Sequence, residues 1–197
     1  NKNFQFGPEY RNRIISNTKA LNETGATLES VSKAQATLIN TVTDFTMLSG
    51  EQQQALEQSA DVASRLGVNL DNFGKGVQAS MKFFSQTAPT AIQTQSDLAA
   101  TARELGISQE KMAGDFARTA GAISKFGSEG VDVFKDLQRV SKITGLEVEK
   151  LLAIVNKFDT FEGAAKQAGQ LNAALGGNFV NAMDLMMATD PVERFDM

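Results

Sequence analysis

The sequence predicts an all-α fold of successive short helices joined by glycine-capped turns, and three observations carry that prediction. Proline is nearly absent: only Pro8, Pro89 and Pro191 occur, each where a helix could begin. Segments between glycines run about 14 to 20 residues and place apolar residues at helical spacing, as in Val77, Met81 and Phe84 or Val133, Leu137 and Val140. No stretch alternates apolar and polar residues for long enough to argue for a strand.

In chain order, residues 1–27 read as a lead-in and residues 28–158 as helical hairpin repeats. The repeat is visible in its punctuation. Arg65-Leu66-Gly67-Val68-Asn69, Glu104-Leu105-Gly106-Ile107-Ser108 and Ile143-Thr144-Gly145-Leu146-Glu147 share one plan, and their glycines stand 39 residues apart both times. Six residues after each glycine comes an apolar residue (Phe73, Met112, Leu151), and Asp71, Glu110 and Glu149 fill the acidic position between. A looser copy begins at Gly25, 42 residues before Gly67. The glycine is expected to end one helix in the left-handed conformation, which a side chain disfavours. The next residue folds back on the last turn, Asn69 or Ser108 caps the following helix, and the acid faces its N-terminal dipole. A second junction falls within each period, at Ser49-Gly50-Glu51-Gln52, Ala88-Pro89-Thr90 and Gly127-Ser128-Glu129. Two helices per period is the layout of an α-hairpin array. The recurrence has two sources, duplication or repeated use of a common turn, and the spacing does not choose between them.

Residues 159–197 have a different texture, rich in Ala, Gly and Met. Asp159-Thr160-Phe161-Glu162 reads as a capping box. Ala165, Gly169 and Ala173 fall four apart on one helix face, a ridge that lets two helix backbones approach closely. Gly176-Gly177 breaks the chain, and Phe179, Met183, Met186 and Met187 make an apolar stripe. Leu171, Phe179, Met183 and Met187 are expected in helix–helix contacts, within one chain or between copies. Asp190-Pro191-Val192-Glu193 is another helix start, and together with the opening Asn1 it implies a longer parent chain.

Composition removes most site chemistry. The 197 residues contain no His, Cys or Trp, so there is no imidazole base, no thiolate, and no nitrogen or sulfur ligand for zinc, copper or iron. Carboxylates, lysines, hydroxyls and Tyr10 are what remains, and no enzyme and no cofactor is expected. Net charge is −4 with both signs spread along the chain, without the basic stripe that wrapping nucleic acid needs. The longest strongly apolar run, Leu151 to Val155, falls far short of the roughly 20 residues of a membrane span.

Each local candidate has a bland alternative. Asp159/Glu162 and Asp190/Glu193 have a spacing that suits acid–base work or a hard cation, but D-x-x-E at a helix start is what capping requires. Gly74-Lys75-Gly76 with Ala79 loosely resembles a phosphate-cradling loop, yet a helical segment precedes it where a strand should. Leu105-Gly106-Ile107-Ser108 has the form of a DNA-binding helix-turn-helix turn. The would-be recognition helix, Gln109 to Phe126, offers only Lys111, Arg118 and Lys125 and is broken by Gly114 and Gly121. The methionine stripe reads as core or oligomer seam before it reads as an adaptable partner surface. Phe83/Phe84 and Phe158/Phe161 are expected to fill the interior.

The stretch FDTFEGAAKQAGQLNAALGGNFVNAMDLMMATDPVERFDM, Phe158 to Met197, resembles sequences of tail tape measure proteins of tailed bacteriophages. LGISQEKMAGDFARTAGAISKFG, Leu105 to Gly127, has a similar Ala/Gly/Ser-rich helical texture. The resemblance is one of phrase and texture, without a catalytic motif. It implies a structural protein that threads the tail lumen, sets tail length while tube subunits polymerise, and leaves ahead of the genome at infection. It implies a homo-oligomer, a trimer or a hexamer, that meets tail tube and tail tip or baseplate proteins, assembly chaperones and transiently the host membrane. The place is then the virion tail, and the host cytoplasm during assembly. One departure matters: a pure rod favours long uninterrupted heptads, and this chain breaks its helices. A folded, hairpin-rich region is therefore expected rather than extended shaft. A non-enzymatic helical-repeat binding module or scaffold is the other class.

Overall fold

The computed structural model describes residues 8–21, 25–156, 161–177 and 181–188, and these are α-helical with no strand among them. In chain order the helices are α1 (Pro8–Leu21), α2 (Leu28–Thr41), α3 (Gly50–Arg65), α4 (Leu70–Phe83), α5 (Ala88–Leu105), α6 (Gln109–Ile123), α7 (Gly130–Thr144), α8 (Val148–Asn156), α9 (Phe161–Leu175) and α10 (Ala182–Met187). Short 3₁₀ segments at Phe45–Met47 and Ser124–Glu129 precede α3 and α7. Most helices fall within the expected lengths, but α8 has 9 residues and α10 only 6. None of the described helices is long and apolar enough to cross a membrane.

The chain divides into two compact units, residues 1–118 and 119–197. The division falls within α6, whereas the change of sequence texture lies near residue 158. Composition changes where helices become Ala-rich; compactness is decided by which helix faces pair, and that has no compositional marker.

In the first unit, α2 packs against α3 and α4, and α5 packs against α3 and α4. The core between them joins Leu38 of α2 and Val42 just after it, Phe45 of the first 3₁₀ segment, Leu56 and Ala60 of α3, Phe73 and Val77 of α4, Ala91 of α5 and Ala113 of α6. Each fully buried Leu, Val or Phe contributes about 1.5–3 kcal/mol by leaving water. Two glycines let the helices come this close. A Cβ on Gly74 would collide with the Thr41 side chain of α2, and one on Gly76 would lie 2.8 Å from Gln95 Oε1 of α5. The Gly74-Lys75-Gly76 run is thus a packing device in mid-helix, with no phosphate-cradling geometry. Polar groups enter the core as well: Gln35 Nε2 of α2 donates to Glu57 Oε1 of α3 at 2.8 Å, and buried Asp61 pairs with Arg65 at 2.8 Å.

In the second unit, α7 packs on α8 and α9 packs on α10. The apolar face of α7 buries Val133, Phe134 and Leu137, and that of α8 buries Val148, Leu151, Leu152 and Val155.

Candidate functional site

The three repeated turns are the most strongly patterned feature of the sequence, and the backbone shows how each closes. Gly67, Gly106 and Gly145 take φ of +87°, +63° and +73°, the left-handed region where a Cβ is penalised. At Gly67, Val68 N–H donates to the Ala63 carbonyl and Gly67 N–H to that of Ser64, both at 3.0 Å. At Gly106, Ile107 N–H donates to Ala102 at 3.0 Å and Gly106 N–H to Arg103 at 3.2 Å. Both are Schellman motifs, which satisfy two orphan carbonyls at once. At Gly145 only the single bond from Gly145 N–H to Ser141 forms, at 2.8 Å, and the Thr144 hydroxyl takes the next N–H.

The helices that follow start as the cap residues dictate. Asn69 Oδ1 accepts from Asp71 N–H at 2.8 Å, and Ser108 Oγ accepts from Lys111 N–H at 3.1 Å. Phe73, Met112 and Leu151, six residues after the glycines, are all buried. The Glu110 carboxylate does more than face a dipole. Its two oxygens accept from the Asn69 backbone N–H and from Asn72 Nδ2, each at 2.7 Å, clasping the start of α4 to the start of α6. Charge-assisted bonds of this kind are roughly twice as strong as neutral ones.

The second junctions are simpler. Ser49 and Gln52 form a capping box at the start of α3, and Pro89 sits in the first turn of α5. Before α7, Gly127 takes φ +60° and no side chain caps the helix.

The three cations of the would-be recognition helix each have a partner within the chain. Lys111 Nζ lies 2.9 Å from the buried Asp115 carboxylate, and Arg118 pairs with the same group. Lys125 Nζ donates to Asn156 Oδ1 at 2.7 Å. Phe84 is buried and stacks on Phe116 with centroids 6.1 Å apart, as an interior residue should. Phe83 corrects the expectation: it is the last residue of α4, 41% exposed, with Lys82 Nζ 5.7 Å from its ring centre, and only Phe84 after it turns into the core.

The small-residue ridge lies on α9, where it is largely open. Gly169 and Ala173 are exposed, Ala165 is half-buried, and nothing lies within 4 Å of a Cβ built on Gly169. The face that α9 buries instead contains Ala164 and Ala168. Met183 and Met187 of α10 are exposed at 44% and 69%. Among the described residues, then, Gly169 mediates no close contact within the chain, and Gly169, Ala173 and the two methionines stand exposed. Asp159, Phe179, Asp190 and Glu193 lie outside the described residues, as do the side chains of Tyr10, Phe161, Glu162, Leu171 and Met186.

One feature had no sequence signal. In the first unit an apolar cleft of about 380 Å³ opens between α3, α5 and the start of α6, floored by Phe73, Leu98 and Met112. Its lining comes from residues scattered between positions 58 and 113, so no periodicity or motif announces it. No protein-family model, no curated protein and no solved structure matches the chain.

Proposed function

We propose that this chain is a structural protein of a bacteriophage tail, a tape measure that sets tail length, scaffolds tube assembly and is ejected ahead of the DNA. The observation that carries the reading is the resemblance of Phe158–Met197 and Leu105–Gly127 to tape measure sequences. Two structural features support it. The helices are built from local caps and glycine turns, so the architecture can repeat without a catalytic centre. The α9 ridge and the α10 methionines leave an apolar, small-residue surface for association of copies. In this reading the chain is a folded hairpin region rather than shaft. A fully helical extended period of 39 residues would span roughly 58 Å, and folded hairpins span far less.

The test is an in-frame deletion of Gly106 to Thr144 in the gene encoding this chain, scored by electron microscopy of tails. Tails of nearly unchanged length with reduced assembly or infectivity are expected. Tails shortened by roughly 58 Å would keep the tape measure and refute its folded state in the virion. Normal tails with full infectivity would refute the function itself.

The apolar cleft of the first unit favours a second reading, a helical-repeat binding module. That reading predicts a monomer that retains its partner without any tail.

A further inference from the structure

We infer that the cleft between α3, α5 and the start of α6 binds a single-chain amphiphile with an anionic head, such as a medium-chain alkyl carboxylate. The inference is independent of the tail reading. The cleft's volume of about 380 Å³ lies within the range of small-ligand pockets. Val62 and Leu66 line one side although they are 43% and 59% exposed, while Phe73, Leu98 and Met112 below them are at most 4% exposed. An apolar occupant that covered the first pair would remove their remaining contact with water.

One polar group selects the head. Arg103, in the last turn of α5, lines the cleft, is exposed, and makes no ion pair among the described residues. A guanidinium suits a carboxylate and disfavours a cationic head.

Ile92 to Arg103 of α5 border the cleft over roughly 16 Å, with Arg103 at one end. A flexible alkyl chain matches a narrow apolar trough with a cation at one end.

Calorimetric titration of the purified chain with sodium decanoate, and separately with decyltrimethylammonium bromide, tests this. The two probes share a chain and differ in head charge. One decanoate should bind per chain, at least about tenfold more tightly than the cationic amphiphile. Arg103→Gln should erase that preference. Ala99→Trp, which places an indole in the cleft, should abolish binding while leaving the thermal melt in place. Absence of saturable decanoate binding below its micelle-forming concentration would overturn the proposal. So would equal binding of the two amphiphiles, or a preference that survives Arg103→Gln.

Discussion

The turns at Gly67 and Gly145 follow the same sequence plan and close differently. At Gly67 the Schellman pair of hydrogen bonds folds Val68 back until it is 7% exposed, part of the core with Ala63, Leu70 and Phe73. At Gly145 a single bond closes the helix, Thr144 supplies the next acceptor, and Leu146 is left 38% exposed beside Ile143 at 84%. The turn at Gly106 has the Schellman bonds but leaves Ile107 only half-buried. A glycine therefore fixes where a helix ends, and the residue after it decides how firmly the turn is tied to a core. The first turn has a core to join, and the third leaves its apolar residues in solvent.

The largest effects should be the same at both ends of this series. Phe73→Ala should cost about 3–5 kcal/mol and Leu151→Ala about 2–5 kcal/mol, since Phe73 is 4% and Leu151 0% exposed. Urea unfolding measures both, and a loss below about 1 kcal/mol at Leu151 would mean the third hairpin has no real core. The residue after the glycine should separate the turns. Val68→Ala should destabilise by roughly 1–2 kcal/mol, whereas Leu146→Ala should stay within about 0.5 kcal/mol. Equal losses at the two positions would erase the distinction drawn between them.

The glycines themselves should behave alike. Gly67→Ala and Gly145→Ala each force a Cβ into the left-handed region, at about 1 kcal/mol. Amide hydrogen exchange in the adjoining helix ends reports each loss locally. A smaller gain is expected at Ser85, which takes φ +53° at the end of α4, where the repeat turns use glycine. Ser85→Gly should raise stability by at most about 1 kcal/mol, the left-handed penalty less the extra chain entropy of glycine, and a lower melting temperature would show that the hydroxyl has a role there. The smallest effect on the chain's own stability should come from Gly169→Leu. Its Cβ site is open, so thermal stability should change by no more than about 0.5 kcal/mol. Its consequence belongs to association: light scattering should show smaller oligomers. Unchanged oligomer size would remove α9 from the contact between copies.

What the sequence disclosed was local, and what it concealed was long-range. Ser49 with Gln52, Asn69, Ser108 and the three glycines act on their own backbone neighbours, so their roles can be read within a few residues. Helix existence followed from spacing for the same reason. The rest depends on which faces meet. Nothing near Glu110 in sequence indicates that it grips Asn69 and Asn72 some 40 residues away. The buried Gln35–Glu57 bond reads as ordinary helix polarity until α2 is laid on α3. The cleft draws on α3, α4, α5 and α6 at once, and Arg103 looks like any other basic residue in a last turn. The split within α6 escaped because α6 runs continuously from Gln109 to Ile123, through Gly114 and Gly121, the glycines expected to break it.

The measurement that bears most directly on the central claim is quantitative mass spectrometry of purified phage tails before and after genome ejection. A tape measure predicts several copies of this chain per intact tail, in the small-integer ratio of a trimer or hexamer, and strong depletion once the genome has left. Absence from intact tails, or retention at full copy number after ejection, would contradict the account.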